Sequence, residues 1–250
     1  DLHSLRRRQR QMCIRDRYYR YPELSEKLDK LAKDHGVTVL GSGVNPGFIY
    51  DTLVVTLTGV CETVEKIKAA RSLDAAKRRY PFQKKIGLGL SPEEFRHKLE
   101  AGEITAHVGY AESIMLVATA LGWKIDRIEE IQEPVIAEKS LETKYFKVKP
   151  GEVAGVRGFG IGYMNGREVI RVELVAAVGA EDYEEIVIEG NPKLHWRNSV
   201  GIPGDLATVA IVVNMIPHVL KASPGLVTMI DLPPPSAVLG DFRQITRRKH

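Results

Sequence analysis

The sequence predicts an α/β (α+β) chain with two textures, a helix, strand, glycine-loop and helix run at the start and a mixed, largely antiparallel sheet after it. Three observations carry this expectation. Residues 22–47 join an amphipathic helical pattern to a short apolar strand and a glycine-rich turn. Beyond Trp123 the apolar residues alternate, or run β-branched, over several short stretches. Turn signals such as Lys149-Pro150-Gly151 and Asn165-Gly166 separate those stretches, and the second is a strong hairpin cue.

Taken in order, Leu24, Leu28 and Leu31 among Glu, Lys and Asp predict a helix over 22–35, closed by Gly36. Residues 37–40 (VTVL) read as a buried strand, and 41–47 (GSGVNPG) as the turn that follows it. Asn45 as N-cap and Pro46 at the first helical position then predict a helix carrying Ile49, Leu53, Leu57 and Val60 on one face. Val64 to Leu73 predicts a strand, followed by a cationic connection over 77–85. Ser91-Pro92-Glu93-Glu94 is a capping box opening a helix that buries Phe95 and Leu99 and ends at Gly102. A buried helix is expected over 113–121, and strands over 124–137, 144–148, 153–163, 168–178 and 184–189. The chain closes with a helix over 205–221, a strand over 226–230 and a stiff Pro233-Pro234-Pro235 tail.

With 250 residues, 44% apolar and 27% charged, the composition excludes disorder and fibrous classes and suffices for a real core. The net charge of +4 is unevenly placed. Seven Arg against two Asp put +5 on residues 1–20, and Arg247, Arg248 and Lys249 add +3, which leaves −4 on 21–246. A nucleic-acid surface on the folded body is therefore not expected. The first seventeen residues lack an apolar core and a small-residue cleavage site, so they are no secretory signal. Residues 1–20 read as a non-native or disordered basic leader, since RQRQMCIRDR resembles translated sequencing-adaptor read-through, and they are set aside from the fold. The longest apolar stretch, 206–220, is interrupted by Asn214, Pro217 and His218, so no membrane span is expected. Cys13 and Cys61 offer at most one bridge, which predicts a reducing, cytoplasmic setting.

Several residues are candidates for chemistry. Gly41-x-Gly43-x-x-x-Gly47 between a strand and a helix is a phosphate-cradle pattern, and the same glycines serve a tight βα turn. Pro46 removes an amide that a phosphate would use, so the loop is expected to face the ring end of a cofactor, or a substrate, through Gly41, Ser42, Gly43, Asn45 and Gly47. Among seven histidines, His3 and His250 are terminal, His35 suits a helix C-terminus, His97 lies on a polar face and His218 within an apolar helix. His107, glycine-flexed and five residues before Glu112, and His195, beside Trp196 and Arg197, are each open between a functional and a structural role. Lys84 and Lys85 suit a carboxylate or a solvated basic loop. No metal-ligand spacing and no serine-hydrolase elbow is present in the sequence.

Four blocks in order, Val39–Phe48, Arg78–Gly87, His107–Ser113 and Gly201–Thr208, resemble the 2,4-diaminopentanoate dehydrogenase family within the dihydrodipicolinate-reductase-like NAD(P)-dependent oxidoreductases. The resemblance covers 21–246. It implies a C-terminal remnant of a Rossmann domain over 21–62 with the returning helix 205–221, a substrate-binding and oligomerisation domain over 63–204, and a C-terminal strand and tail over 222–250. The glycine fingerprint of the first nucleotide-binding turn is absent from the sequence, so the chain is expected to begin inside that domain and to be inactive alone. The implied reaction is oxidative deamination of a diamino acid with NAD or NADP. In that reading His107 handles protons, Glu112 orients it or meets the substrate ammonium, and Lys84, Lys85 and Arg197 meet the carboxylate with His195 nearby. The paired-histidine motif H-H-x-x-K of the reductases is missing, so their catalytic positions do not transfer. An imine reductase of the same fold and a noncatalytic oligomerisation module remain as alternatives. A homodimer or homotetramer is expected, without nucleic acid or membrane partners.

Overall fold

A computed structural model describes residues 21–241. The basic leader and the last basic residues lie outside the described residues. Two compact units are present, one built from 21–59, Met115–Trp123 and 203–241, the other from Val60–Ile114 and Lys124–Ile202.

In the first unit, α1 (Pro22–Asp34) starts with Pro22 inside its first turn and carries Glu23 there and Lys33 in its last turn, the arrangement the helix dipole favours. Gly36 follows at φ +64° and turns the chain into β1 (Thr38–Leu40). β1 pairs in parallel with β10 (Gly225–Val227), Val39 opposite Leu226. The strand expected at 226–230 is shorter, because the Asp231 carboxylate accepts hydrogen bonds from the Thr228 N–H and hydroxyl and bends the chain away. The helix expected to start at Asn45 starts later. Residues 44–51 form turns, and α2 (Thr52–Thr58) is capped by Asp51, whose side chain accepts from Thr52 N at 2.7 Å. Val60 falls outside it and is exposed. The last helix, α6 (Gly204–Lys221), buries Ile211 and Met215 against Met229, with Leu40, Val44, Phe48 and Leu232 packed around them. Contrary to the sequence expectation, α6 is long and apolar enough to cross a membrane by length and composition. Its burial of Ile211 and Met215 accounts for part of that apolarity, while Leu206, Val209 and Leu220 are exposed.

The second unit is organised by a six-stranded mixed sheet. Its strands are β2 (Thr63–Asp74), β3 (Arg127–Ile136), β6 (Val153–Met164), β7 (Arg167–Ala177), β8 (Tyr183–Asn191) and β9 (Leu194–Asn198), in the order β3-β6-β7-β2-β8-β9. Only β2 and β7 pair in parallel. A short separate ladder joins β4 (Leu141–Glu142) to β5 (Lys147–Val148). The hairpin at Asn165-Gly166 forms as expected, both residues at positive φ. β9 was not expected, although Leu194 and Trp196 alternate with His195 and Arg197; it is a short strand that pairs only at the sheet edge with β8.

Between β2 and β3 lie a 3₁₀ turn (Ala75–Lys77), α3 (Tyr80–Lys85), α4 (Pro92–Glu100) and α5 (Tyr110–Ala120). The expected cationic connection is thus mostly helical. α4 makes both hydrogen bonds of the Ser91/Glu94 capping box. α5 starts three residues earlier than expected and lies close on β6, where Gly158, Gly160 and Gly162 alternate on one face. A Cβ on Gly160 would sit 2.6 Å from the Tyr110 Cβ, and one on Gly162 2.7 Å from Ile114 Cγ2. The bare stripe is what lets the helix approach the sheet.

Candidate active site

Strand register places one row of residues directly across the sheet: Gln132, Gly158, Leu174, Arg71, Glu184 and Asn198, one from each strand. Side chains in such a row share a face, the one on which α5 packs. Arg71 and Glu184 sit at its centre, 4% and 1% exposed in their side chains, with Arg71 Nε 3.1 Å from Glu184 Oε1. Arg71 Nη2 donates to the Ile202 carbonyl. Glu184 also accepts from Ile202 N at 3.0 Å and Asn198 Nδ2 at 2.9 Å.

At the other end of the row Gln132 fixes the loop before α5. Its Oε1 accepts from His107 N at 2.8 Å, and its Nε2 donates to Thr105 O at 3.5 Å. Ala106 is buried at φ +46°, a conformation uncommon for a residue with a Cβ, and its N–H donates to Lys85 O at 3.0 Å. His107 is thereby held beside the end of α3 and edge-on to the Tyr110 ring, centroids 4.8 Å apart. Burial, and then the positive charges of Lys85 and Arg71, hold its imidazole well below the usual histidine range, so the ring is neutral near pH 7. Glu112 is buried in the first turn of α5, five residues on.

Lys85 is the second titratable group here. Its ammonium lies 5.2 Å from the Phe82 ring centroid, and the Arg78 guanidinium lies 4.5 Å from the same ring. Burial first, with Arg78 and Arg79 adding repulsion, lowers Lys85 to about 8. Gln83 locks this basic turn. It is fully buried, donates to Arg78 O at 2.8 Å and Ala76 O at 3.3 Å, and accepts from Thr143 Oγ1 at 2.7 Å. Lys84, one residue away, is exposed.

The structure therefore brings His107 and Lys85 together and separates them from His195 and Arg197. These two sit on β9 opposite Val187 and Glu185, on the other face of the sheet. There His195 Nε2 lies 2.8 Å from Glu185 Oε1, and Arg197 pairs with Glu185 and Glu181 at 3.2 Å. Gln83 and Gln132 are the positioning residues that sequence reasoning missed. The one sequence signal for Gln83 is a polar, uncharged residue inside a run of cations. Among the described residues no group of three or more His, Cys, Asp or Glu is placed to hold a metal.

The glycine loop of the first unit has a different chemistry. It folds back on itself, so that a Cβ at Gly47 would overlap the backbone of Gly43. Asp51 Oδ2 accepts from Gly47 N at 2.7 Å and Thr52 Oγ1 donates to Gly47 O at 2.8 Å. With the Gly47 amide taken and Pro46 lacking one, the amides that a phosphate cradle needs at 46 and 47 are not on offer. The loop instead holds Ser42 Oγ, Asn45 Nδ2 and Asn45 Oδ1 shielded from solvent and without hydrogen-bond partners among the described residues. A cavity of about 570 Å³ beside it is lined by residues 38–42 and by Val212, Met215, Ile216, Val219 and Leu220 of α6.

A family model described as the 2,4-diaminopentanoate dehydrogenase C-terminal domain matches residues 48–248. The 2,4-diaminopentanoate dehydrogenase of Acetoanaerobium sticklandii is 39% identical over 230 residues, covering 90% of this chain and 65% of that protein. The amine dehydrogenase of Streptomyces virginiae is 25% identical over 240 residues, covering 85% and 65%. The solved structure of amine dehydrogenase from Mycobacterium smegmatis superposes with a TM-score of 0.78 at 24% identity, over 90% of this chain and 67% of that one, which is a likeness of fold. The chain thus has a mixed α/β fold, and its homologues are dehydrogenases. It belongs to the 2,4-diaminopentanoate dehydrogenase family. It spans 65% of the length of these curated relatives, less than two thirds.

A dehydrogenase family implies a nicotinamide cofactor in general. The loop at 41–47 fits the ring end of such a group and not its phosphates, because its orphaned polar atoms are neutral donors and acceptors.

Proposed function

We propose that this chain is the substrate-binding portion, with part of the nucleotide-binding domain, of an NAD(P)-dependent dehydrogenase that oxidatively deaminates a diamino acid such as 2,4-diaminopentanoate. The observation that carries the reading is the Lys85–His107 site, a half-buried cation with no carboxylate partner among the described residues, beside a neutral imidazole. An α-amino acid substrate brings a carboxylate for the cation, and its ammonium must lose protons as the reaction proceeds.

In this reading Lys85 anchors the carboxylate, stiffened by Phe82 and by Gln83 behind it. His107, kept neutral, accepts a proton as the amine is oxidised and returns one as water converts the imine to ketone and ammonia. Glu112 is the buried acid beside this step, orienting His107 or meeting the ammonium. Gly41, Ser42, Gly43 and Asn45 would hold the nicotinamide ring of the cofactor, which would supply the hydride acceptor for the amine-bearing carbon. The parallel β1–β10 pair with α1 and α6 supports the view that 21–59 and 203–241 continue a nucleotide-binding sheet, and the exposed apolar residues of α6 leave room for more of it.

The test is to join residues 21–250 to the upstream third of the Acetoanaerobium sticklandii relative and follow NADH or NADPH formation with 2,4-diaminopentanoate. The proposal expects turnover that His107→Ala lowers at least tenfold. A folded chimera with no turnover on this substrate overturns it.

A further inference from the structure

We propose that Asn45 reads a primary carboxamide carried on an aromatic ring, donating one hydrogen bond from Nδ2 to the amide oxygen and accepting one at Oδ1 from the amide NH2, with Ser42 Oγ completing the polar lining. The inference rests on the proposed cofactor, since nicotinamide is a ring of this kind.

Both polar atoms of the Asn45 side chain, and Ser42 Oγ three residues earlier, are shielded from solvent and make no hydrogen bond among the described residues. Leaving a buried donor or acceptor unpaired is unfavourable, and three such atoms within four residues are far from the few per hundred residues that folded chains carry. The loop is not loosely built. Asp51 and Thr52 hold Gly47 from both sides, and Gly43 is bare because a Cβ there would stand 3.3 Å from Pro46 O. The unsatisfied amide is thus held in a fixed frame at the carboxyl end of a parallel strand, where ligands of α/β sheets bind.

The donor and acceptor inventory selects the ligand. A side-chain amide offers a donor and an acceptor in one plane, and a primary carboxamide offers the complementary pair. A carboxylate in the same position supplies two acceptors and sets one against Oδ1, while a methyl ketone supplies no donor. Ser42 adapts to either, since its hydroxyl rotates.

The test uses the chain as it is, with nicotinamide mononucleotide and nicotinic acid mononucleotide as probes, titrated against ¹⁵N-labelled protein. The inference expects the carboxamide to bind at least tenfold more tightly than the carboxylate, with the Asn45 side-chain NH2 resonances among those that shift most. Asn45→Leu, which keeps the volume but offers neither donor nor acceptor, is expected to abolish that preference, and Asn45→Ala to reduce it. Binding of both probes with equal affinity, or a preference unchanged in either folded variant, overturns the inference and leaves the cofactor reading standing. Should the variants fail to fold, Asn45 NH2 resonances that stay fixed at saturation overturn it by themselves. Absence of binding by either probe overturns the cofactor reading and this inference together.

Discussion

Replacing Arg71 by Met removes the cation from a pair whose side chains are almost wholly buried. Glu184 then keeps its hydrogen bonds from Asn198 Nδ2 and Ile202 N, yet its charge has no counterion in the middle of the sheet. Breaking a buried pair from one side costs about 3–5 kcal/mol, whereas exchanging both partners for apolar residues of similar volume is often close to neutral. For a chain of this size each kcal/mol moves the midpoint by ~2–4 °C, so Arg71→Met is expected to lower it by roughly 6–20 °C. Arg71→Met with Glu184→Leu recovers most of that loss. The remainder reflects the Ile202 contacts, which neither new side chain replaces. Urea unfolding of the two single variants and the double variant closes the cycle. A double variant as unstable as the sum of the singles would refute the pairing, and a single variant within about 1 kcal/mol of the parent would refute the burial argument.

Four further outcomes are expected. His107 should resist protonation, so stability falls as the pH drops below the ordinary histidine value of 6.5 and the unfolded chain takes up a proton that the folded chain refuses; Lys85→Met raises the folded value, and ring-proton NMR titration of the two proteins reads it. Lys85, lowered to about 8 from 10.5, makes the folded chain lose its proton first, so stability rises with pH between those values and Lys85→Met abolishes the rise in urea midpoints measured from pH 7 to 10.5. Glu168, lowered to about 2 by Arg171 and Lys66, supports stability above its ordinary value of 4.5 that is lost as the pH falls toward 2, and Glu168→Gln flattens that acid limb. Gly160→Val forces a side chain onto Tyr110 and Ile114 and should cost about 1–3 kcal/mol, with a weaker effect from Gly166→Ala, where nothing stands near the new methyl and only the positive φ resists.

Local signals carried much of the fold. The capping box at Ser91 and the Asn165-Gly166 turn act within four residues, so their geometry follows from the sequence around them. The start of α2 shows where local rules compete. Asn45-Pro46 and Asp51 both satisfy the grammar of a helix start, and the fold-back of Gly47 onto Gly43 decides for Asp51. The site divides in the same way. His107 stood out by its glycine-flexed setting and Lys85 by its cationic run. Their neighbourhood depends on Gln132, whose bond to His107 N spans 25 residues, and on a register that lines up six strands. His195 and Arg197 looked alike in sequence, and a single β9 ladder turns them to the opposite face. The glycines at 158, 160 and 162 of β6 are a seat for α5, a role that only the partner helix reveals.

The central claim is that Lys85 selects a carboxylated amine. Its most direct test is the ratio of kcat/KM for 2,4-diaminopentanoate to that for 1,3-diaminobutane, the same diamine without the carboxylate, in the chimeric enzyme and in its Lys85→Met variant. A large ratio that collapses at least tenfold in the variant is expected. A ratio that Lys85→Met leaves unchanged would contradict the account.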